Sequence, residues 1–171
     1  MYRTRTYIAA DWDEDKEVVD KLRQWNDSDY WSLSFTDAHD LTQARDTSDY
    51  CNIKRSLAER MNASKTFVLI VGAKTKIIRK GGCQYCDDYS SYYGKCNKNH
   101  YVDYRSYIEY ECEKAKNDDL KIVVIYNYAN VDKSKCPDVL KNEGTHIPAF
   151  YYDNGIKKWC YYSIKEALQD D

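Results

Sequence analysis

No apolar stretch of this chain approaches the roughly 20 residues that a membrane-spanning helix needs, so no membrane partner is expected. A basic excess is missing too: 26 Lys and Arg stand against 28 Asp and Glu, a formal net charge of −2. Without a positive field there is nothing to hold a phosphate backbone, which argues against nucleic acid as a primary partner. A strand-like run, Arg5-Thr6-Tyr7-Ile8-Ala9-Ala10, begins almost at once and leaves no room for a signal peptide. A cytoplasmic location is therefore the expectation. The seven cysteines are an odd number, and in a reducing compartment they read as thiols or metal ligands and not as a disulfide framework. Internal repeats and low-complexity tails are also missing.

What is present is 171 residues, 43% of them hydrophobic, an ordinary length for one domain with one core. Residues 1–171 are read as a single domain. Tyrosine is abundant at 18 residues, with a dense group between Tyr85 and Tyr110 that suits either a ligand wall or an amphipathic rim.

Periodicity organises the chain. After the opening strand, Asp11-Trp12-Asp13-Glu14-Asp15 suits a helix N-terminus, and Val18, Val19, Leu22 and Trp25 follow at helical spacing. Trp31-Ser32-Leu33-Ser34-Phe35-Thr36 alternates like a half-exposed edge strand. A polar, aperiodic loop from Asp37 to Tyr50 precedes a second helix marked by Ile53, Leu57 and Met61. Thr66-Phe67-Val68-Leu69-Ile70-Val71-Gly72 is continuously apolar, as in a strand buried on both faces of a parallel sheet. Leu120–Tyr126 repeats that signature after a helix over roughly Tyr104–Lys116. Ile147–Tyr152 is a weaker fifth strand, and Ser163–Leu168 begins a closing helix.

Strands alternating with helices imply an α/β fold, with a five-stranded parallel sheet covered by helices on both faces. The flavodoxin-like order 2-1-3-4-5 is the natural expectation, with a long insertion over 74–103 after strand three. In such a sheet ligands bind beyond the carboxyl ends of the strands, which singles out Asp11, Trp12, Asp37, His39, and the helix carrying Tyr107 and Glu111. At about 100° per residue, Tyr104, Ile108, Cys112 and Ala115 form the apolar stripe of that helix. Glu111 lies at the edge of the stripe, partly desolvated, whereas Glu109 and Glu113 read as solvated. On frequency alone a helical Glu is more often a surface carboxylate paired with a Lys or Arg.

Two further motifs stand out. Cys83-Gln-Tyr-Cys86 with Cys96 and His100 makes a C-x2-C-x9-C-x3-H set inside the insertion. It reads either as a zinc site or as reduced thiols packed among tyrosines, and since the spacing matches no common zinc template no metal is assigned. Gly72-Ala73-Lys74-Thr75 echoes the end of a P-loop but lacks the upstream glycine. A phosphoreceiver is disfavoured because strand three ends in Val71-Gly72 without a phosphorylatable Asp.

The strand KTFVLIVG followed by a helix with aromatic-x-x-x-Glu (Tyr107 to Glu111) resembles the third strand and catalytic helix of TIR domains, with Tyr107 in place of the usual Trp. YIAADWDEDKEVVDKL resembles their first-strand motif, with Ala10-Asp11-Trp12 where a Ser-Tyr type pair is common. FTDAHDLTQARD stands where the loop after strand two borders the pocket, and SLAERMNASKTFVLIVG resembles the helix-to-strand join. More narrowly, the chain resembles the bacterial TIR-like family that includes the sensor subunit of the Thoeris antiphage defence system.

That resemblance implies cleavage of NAD at the nicotinamide–ribose bond in antiphage signalling, with NAD as substrate, no required cofactor and Glu111 as the catalytic carboxylate. Trp12 and Tyr107 offer flat faces for stacking a base, and Asp11, Asp37, His39 and Arg45 read either as bonding ribose or diphosphate or, respectively, as a cap or turn (Asp11, Asp37), a loop side chain (His39) and a solvated charge (Arg45). The resemblance also implies self-association through TIR-like surfaces and a nucleotide-sensing effector as partner. The alternative it leaves open is a non-catalytic interaction or adaptor module.

Overall fold

The computed structural model describes residues 4–37 and 49–169. Its centre is a parallel sheet of four strands in the order β1 (Arg5–Ala9), β2 (Ser64–Val71), β5 (Lys121–Tyr126), β6 (Thr145–Pro148). The registers are parallel throughout, with Tyr7 opposite Phe67, Phe67 opposite Ile122, and Val124 opposite His146. β2 lies inside the sheet, which is why its run of Phe, Val, Leu and Ile has no polar face.

Because strand side chains alternate, β2 feeds two cores. Phe67, Leu69 and Val71 face helices α2 (Tyr50–Asn62) and α3 (Tyr107–Asn117), together with Tyr7, Val124 and Tyr126. Val68 and Ile70 face α1 (Lys16–Asn26) and α4 (Tyr161–Gln169), together with Ile8, Val123 and Ile125. The result is three layers, helices on both faces of a parallel sheet. The α1 stripe is the one read from sequence, Val18, Val19, Leu22 and Trp25.

Three expectations need correction. The stretch Trp31–Thr36 does not form a strand. It meets β1 through one isolated parallel bridge, Thr6 with Asp37, and the Thr6 N–H donates to the Thr36 carbonyl at 2.8 Å. This is the flank expected for strand two; among the described residues only this bridge forms there, and the parallel sheet has four strands, so the order 2-1-3-4-5 is met in part. The causes are local: Ser34 takes a left-handed φ of 57°, and the Asn26 amide occupies both Phe35 peptide groups at 2.8 and 2.9 Å.

The last sheet strand is Thr145–Pro148 and not Ile147–Tyr152. Phe150–Asp153 leaves the sheet as β7 and pairs antiparallel with β8 (Ile156–Trp159) across the Asn154-Gly155 turn, where φ is 49° and 79°. The third helix starts at Tyr107, not Tyr104, because Ser106 and Glu109 form a reciprocal capping box. Tyr104 is outside the stripe and exposed, its hydroxyl 3.2 Å from that of Tyr89.

Within the insertion a 3-10 turn over Cys83–Tyr85 is followed by a small hairpin, β3 (Tyr89–Ser90) with β4 (Lys95–Cys96). It is tied down at both ends. The Tyr107 N–H donates to the Lys80 carbonyl at 2.9 Å. The buried Lys54 ammonium donates to the carbonyls of Asp103 and Arg105 at 3.2 and 2.6 Å. Gly81, at φ 104°, lets the backbone lie on the Tyr107 ring, where an added Cβ would come within 2.5 Å.

Phe67 joins fold to site, since its ring stacks on that of Tyr7 at 5.9 Å and 11° and both are fully buried. Phe67→Ala is expected to cost about 3–5 kcal/mol in urea unfolding. A cost below about 1 kcal/mol would mean that this packing is not formed.

Candidate active site

At the carboxyl end of β1 a cavity of about 290 Å³ opens between the turn 10–13, α2, the start of the insertion and α3. Its walls are apolar, from Ile53, Leu57, Ile78 and Ile108, and its polar groups are few: Asp11, Asp13, Arg60, Lys80 and Glu111. That combination of apolar lining and sparse convergent polar groups is what small-ligand sites share.

Glu111 is on the inner side of α3 and only 6% exposed. It is not a surface carboxylate. The Tyr7 hydroxyl donates to its Oε1, and the Arg60 guanidinium acts on it through space. Burial pushes its carboxyl up to about 7, opposed by the Tyr7 hydrogen bond and by the Arg60 charge. Tyr7 is itself driven upward by burial and by the Glu111 charge, so the phenol keeps its proton and acts as the donor. The site thus holds a carboxylate that changes charge near neutrality.

The neighbouring acids have structural roles. Glu109 closes the capping box, accepting from the Ser106 N–H at 2.7 Å. Glu113 accepts from Arg105 at 2.6 Å on the outer face. The helix period separates three glutamates two residues apart into cap, cavity and surface.

Of the residues singled out from sequence, Asp11, Trp12, Tyr107 and Glu111 come together around the cavity. Asp11 is buried, and its Oδ1 accepts from the Asp13 N–H at 3.3 Å, so the carboxylate shapes the turn as well as the wall. Trp12 is 37% exposed, with the Arg23 guanidinium 4.9 Å from its ring centre. Tyr107 packs edge-on against Tyr50 at 5.7 Å. Asp37 is not among the lining residues and accepts two hydrogen bonds from Arg23, at 2.8 and 3.1 Å. His39 and Arg45 lie outside the described residues.

Tyr7 and Arg60 were missed. Each left a trace in the sequence: Tyr7 is the one large aromatic in β1, and Arg60 falls on the same stripe of α2 as Ile53, Leu57 and Met61, where a charge has no solvent. The P-loop echo is a turn instead, in which the Thr75 hydroxyl accepts from the Gly72 N–H at 2.8 Å and Lys74 pairs with Glu14.

Residues 7–80 match the family model described as the Thoeris protein ThsB, TIR-like domain. The matched span contains Tyr7, α1, α2 and β2 and ends at Lys80, so Glu111 and its helix lie beyond it. No curated protein matches the chain.

Folding raises the Glu111 carboxyl from the ordinary 4.5 to about 7, so the folded state takes up a proton between those values. Stability contributed by the protonated acid is lost as pH rises through that window, on the order of 3 kcal/mol in all. Urea unfolding of the wild type relative to Glu111→Gln, from about pH 5 to about pH 8, is expected to show the wild type losing ground. A pH-independent difference would contradict the buried carboxylate. Tyr7→Phe removes the hydrogen bond that opposes the shift and is expected to move the loss to higher pH.

Proposed function

We propose, from the TIR-like domain that residues 7–80 of this chain carry, that the protein cleaves NAD at the nicotinamide–ribose bond and releases an ADP-ribose-type product, hydrolysed or cyclic, as an antiphage signal. The observation that carries this reading is the Glu111 carboxylate, buried in the cavity wall and held by Tyr7.

The chemistry suits that arrangement. When cationic nicotinamide departs, the ribose becomes oxocarbenium-like, and a desolvated carboxylate beside it stabilises the developing charge better than one in water. A second role is to accept hydrogen bonds from the ribose hydroxyls. The cavity volume of about 290 Å³ sits at the lower limit of small-ligand pockets and takes the nicotinamide ribose end. The rest of the dinucleotide then runs outward past Trp12 and Lys80, where an indole face and an ammonium suit a base and a diphosphate. The substrate's own positive charge favours the ionised form of Glu111, so binding and ionisation support one another.

A second reading rests on the exposed tyrosines of the insertion, Tyr85, Tyr92, Tyr93 and Tyr101. Aromatic residues of this kind are enriched at protein interfaces, and they favour a TIR-like module that works by self-association or by docking on an effector. The two readings separate on one substitution. Under the enzymatic reading Glu111→Gln abolishes protection in a phage-challenge assay, and under the adaptor reading protection survives.

Purified protein incubated with NAD, alone and with an extract of phage-infected cells, is expected to release nicotinamide. Glu111→Gln keeps the shape and removes the charge, and is expected to lower the rate on the order of 10²–10³-fold. The working form is the carboxylate, so the rate should rise with pH through about 7 and then level off. Wild-type protein that consumes no NAD under either condition would overturn the assignment.

A further inference from the structure

A second cluster lies behind Tyr107, away from the Glu111 carboxylate. Cys51 from the first turn of α2 and Cys83, Cys86, Cys96 and His100 from the insertion line one cavity of about 10 Å³. That is about the space of a single water or ion. Cys51 Sγ is 2.7 Å from His100 Nδ1, and ligand atoms of Asp49, Cys51 and His100 lie within 4.8 Å of one another. The other three cysteines line the same cavity at wider spacing. None of the cysteines forms a disulfide.

The backbone beside these cysteines is tightly turned. The Cys86 N–H donates to the Cys83 carbonyl at 3.0 Å, closing the tight turn of a C-x2-C pair. Cys96 is opposite Tyr89 in the hairpin, and the Asn99 N–H donates to its carbonyl at 2.9 Å, which turns the chain back to His100. The Cys83 sulfur accepts the Asp103 N–H at 3.2 Å, the kind of support that ligating groups receive from their surroundings. Independently, the buried Tyr107 hydroxyl has no hydrogen-bond partner among the described residues, and Cys51, Cys83 and Cys86 are among the groups acting on it. A metal-bound thiolate gives that donor an acceptor. Asp49 is already taken by Lys98 at 2.8 and 2.9 Å.

We propose that Cys51, Cys83, Cys86 and Cys96 bind one zinc ion as four thiolates, with His100 supporting the Cys51 sulfur by a hydrogen bond. Sulfur-rich tetrahedral sets select zinc among the divalent ions. Binding draws the cavity walls inward and releases the thiol protons to solvent. The ion would tie the insertion, which has almost no apolar core of its own, to α2. Both segments wall the Glu111 cavity, α2 through Leu57 and Arg60 and the insertion through Ile78 and Lys80.

The test is metal analysis of the full chain purified from zinc-supplemented medium, with cobalt reconstitution of the stripped protein. Stoichiometric zinc is expected, with the strong charge-transfer and d–d absorption of tetrahedral cobalt–thiolate in the cobalt form. The Cys83→Ser/Cys86→Ser double variant should lose both, whereas Cys160→Ser, outside the cavity, should keep both. His100→Ala should retain the all-thiolate cobalt spectrum and bind zinc more weakly. Substoichiometric zinc before and after reconstitution, or a cobalt spectrum without thiolate bands, overturns the site on wild-type protein alone, whatever the variants do.

Discussion

A carboxylate taken out of water is the constraint on which the rest of this structure turns. Glu111 falls on the apolar side of α3, in line with Ile108, Cys112 and Ala115, and a bare charge there would cost several kcal/mol. The fold meets that cost with a phenol and a guanidinium. Tyr7 must be on β1, directly beside Phe67 of β2, for its hydroxyl to reach Oε1. Arg60 lies buried on α2, which packs beside α3 on the same face of the sheet. A group that is uncomfortable by itself is thus met by side chains from two other elements, and it gives up its proton near neutral pH.

The layout of strands and helices was legible where the hydrophobic period was unambiguous. β2 and β5 are continuous apolar runs, and α1 carries four buried residues at helical spacing. Legibility failed where local polar bonds outcompete the ladder. Trp31–Thr36 has the alternation of a strand, yet the Asn26 side chain captures Phe35 and Ser34 adopts a left-handed backbone, so pattern alone overstated it. Tyr104 has helical spacing with Ile108, but the Ser106 cap starts the helix after it.

The candidate site was half legible. Helical geometry separated Glu111 from Glu109 and Glu113, and the ends of the strands pointed to Asp11, Trp12 and Tyr107. The depth of Glu111 and its partners were not readable, because Tyr7 and Arg60 are far from it in sequence and meet it only through the sheet. The same holds for Cys51, which joins the cysteines of the insertion only once α2 is in place. Contacts between distant segments carry both sites, and such contacts leave no local signature beyond an out-of-place polar residue in an apolar stripe.

Carbon-13 NMR of the glutamate side-chain carboxyls shows directly whether Glu111 is a buried, hydrogen-bonded carboxylate that titrates near neutrality. The resonance missing from Glu111→Gln identifies the group, and its shift against pH should give a midpoint at about 7. A midpoint in the ordinary range of exposed glutamates, about 4.3, would mean that the carboxylate is solvated and that the site is not built as described.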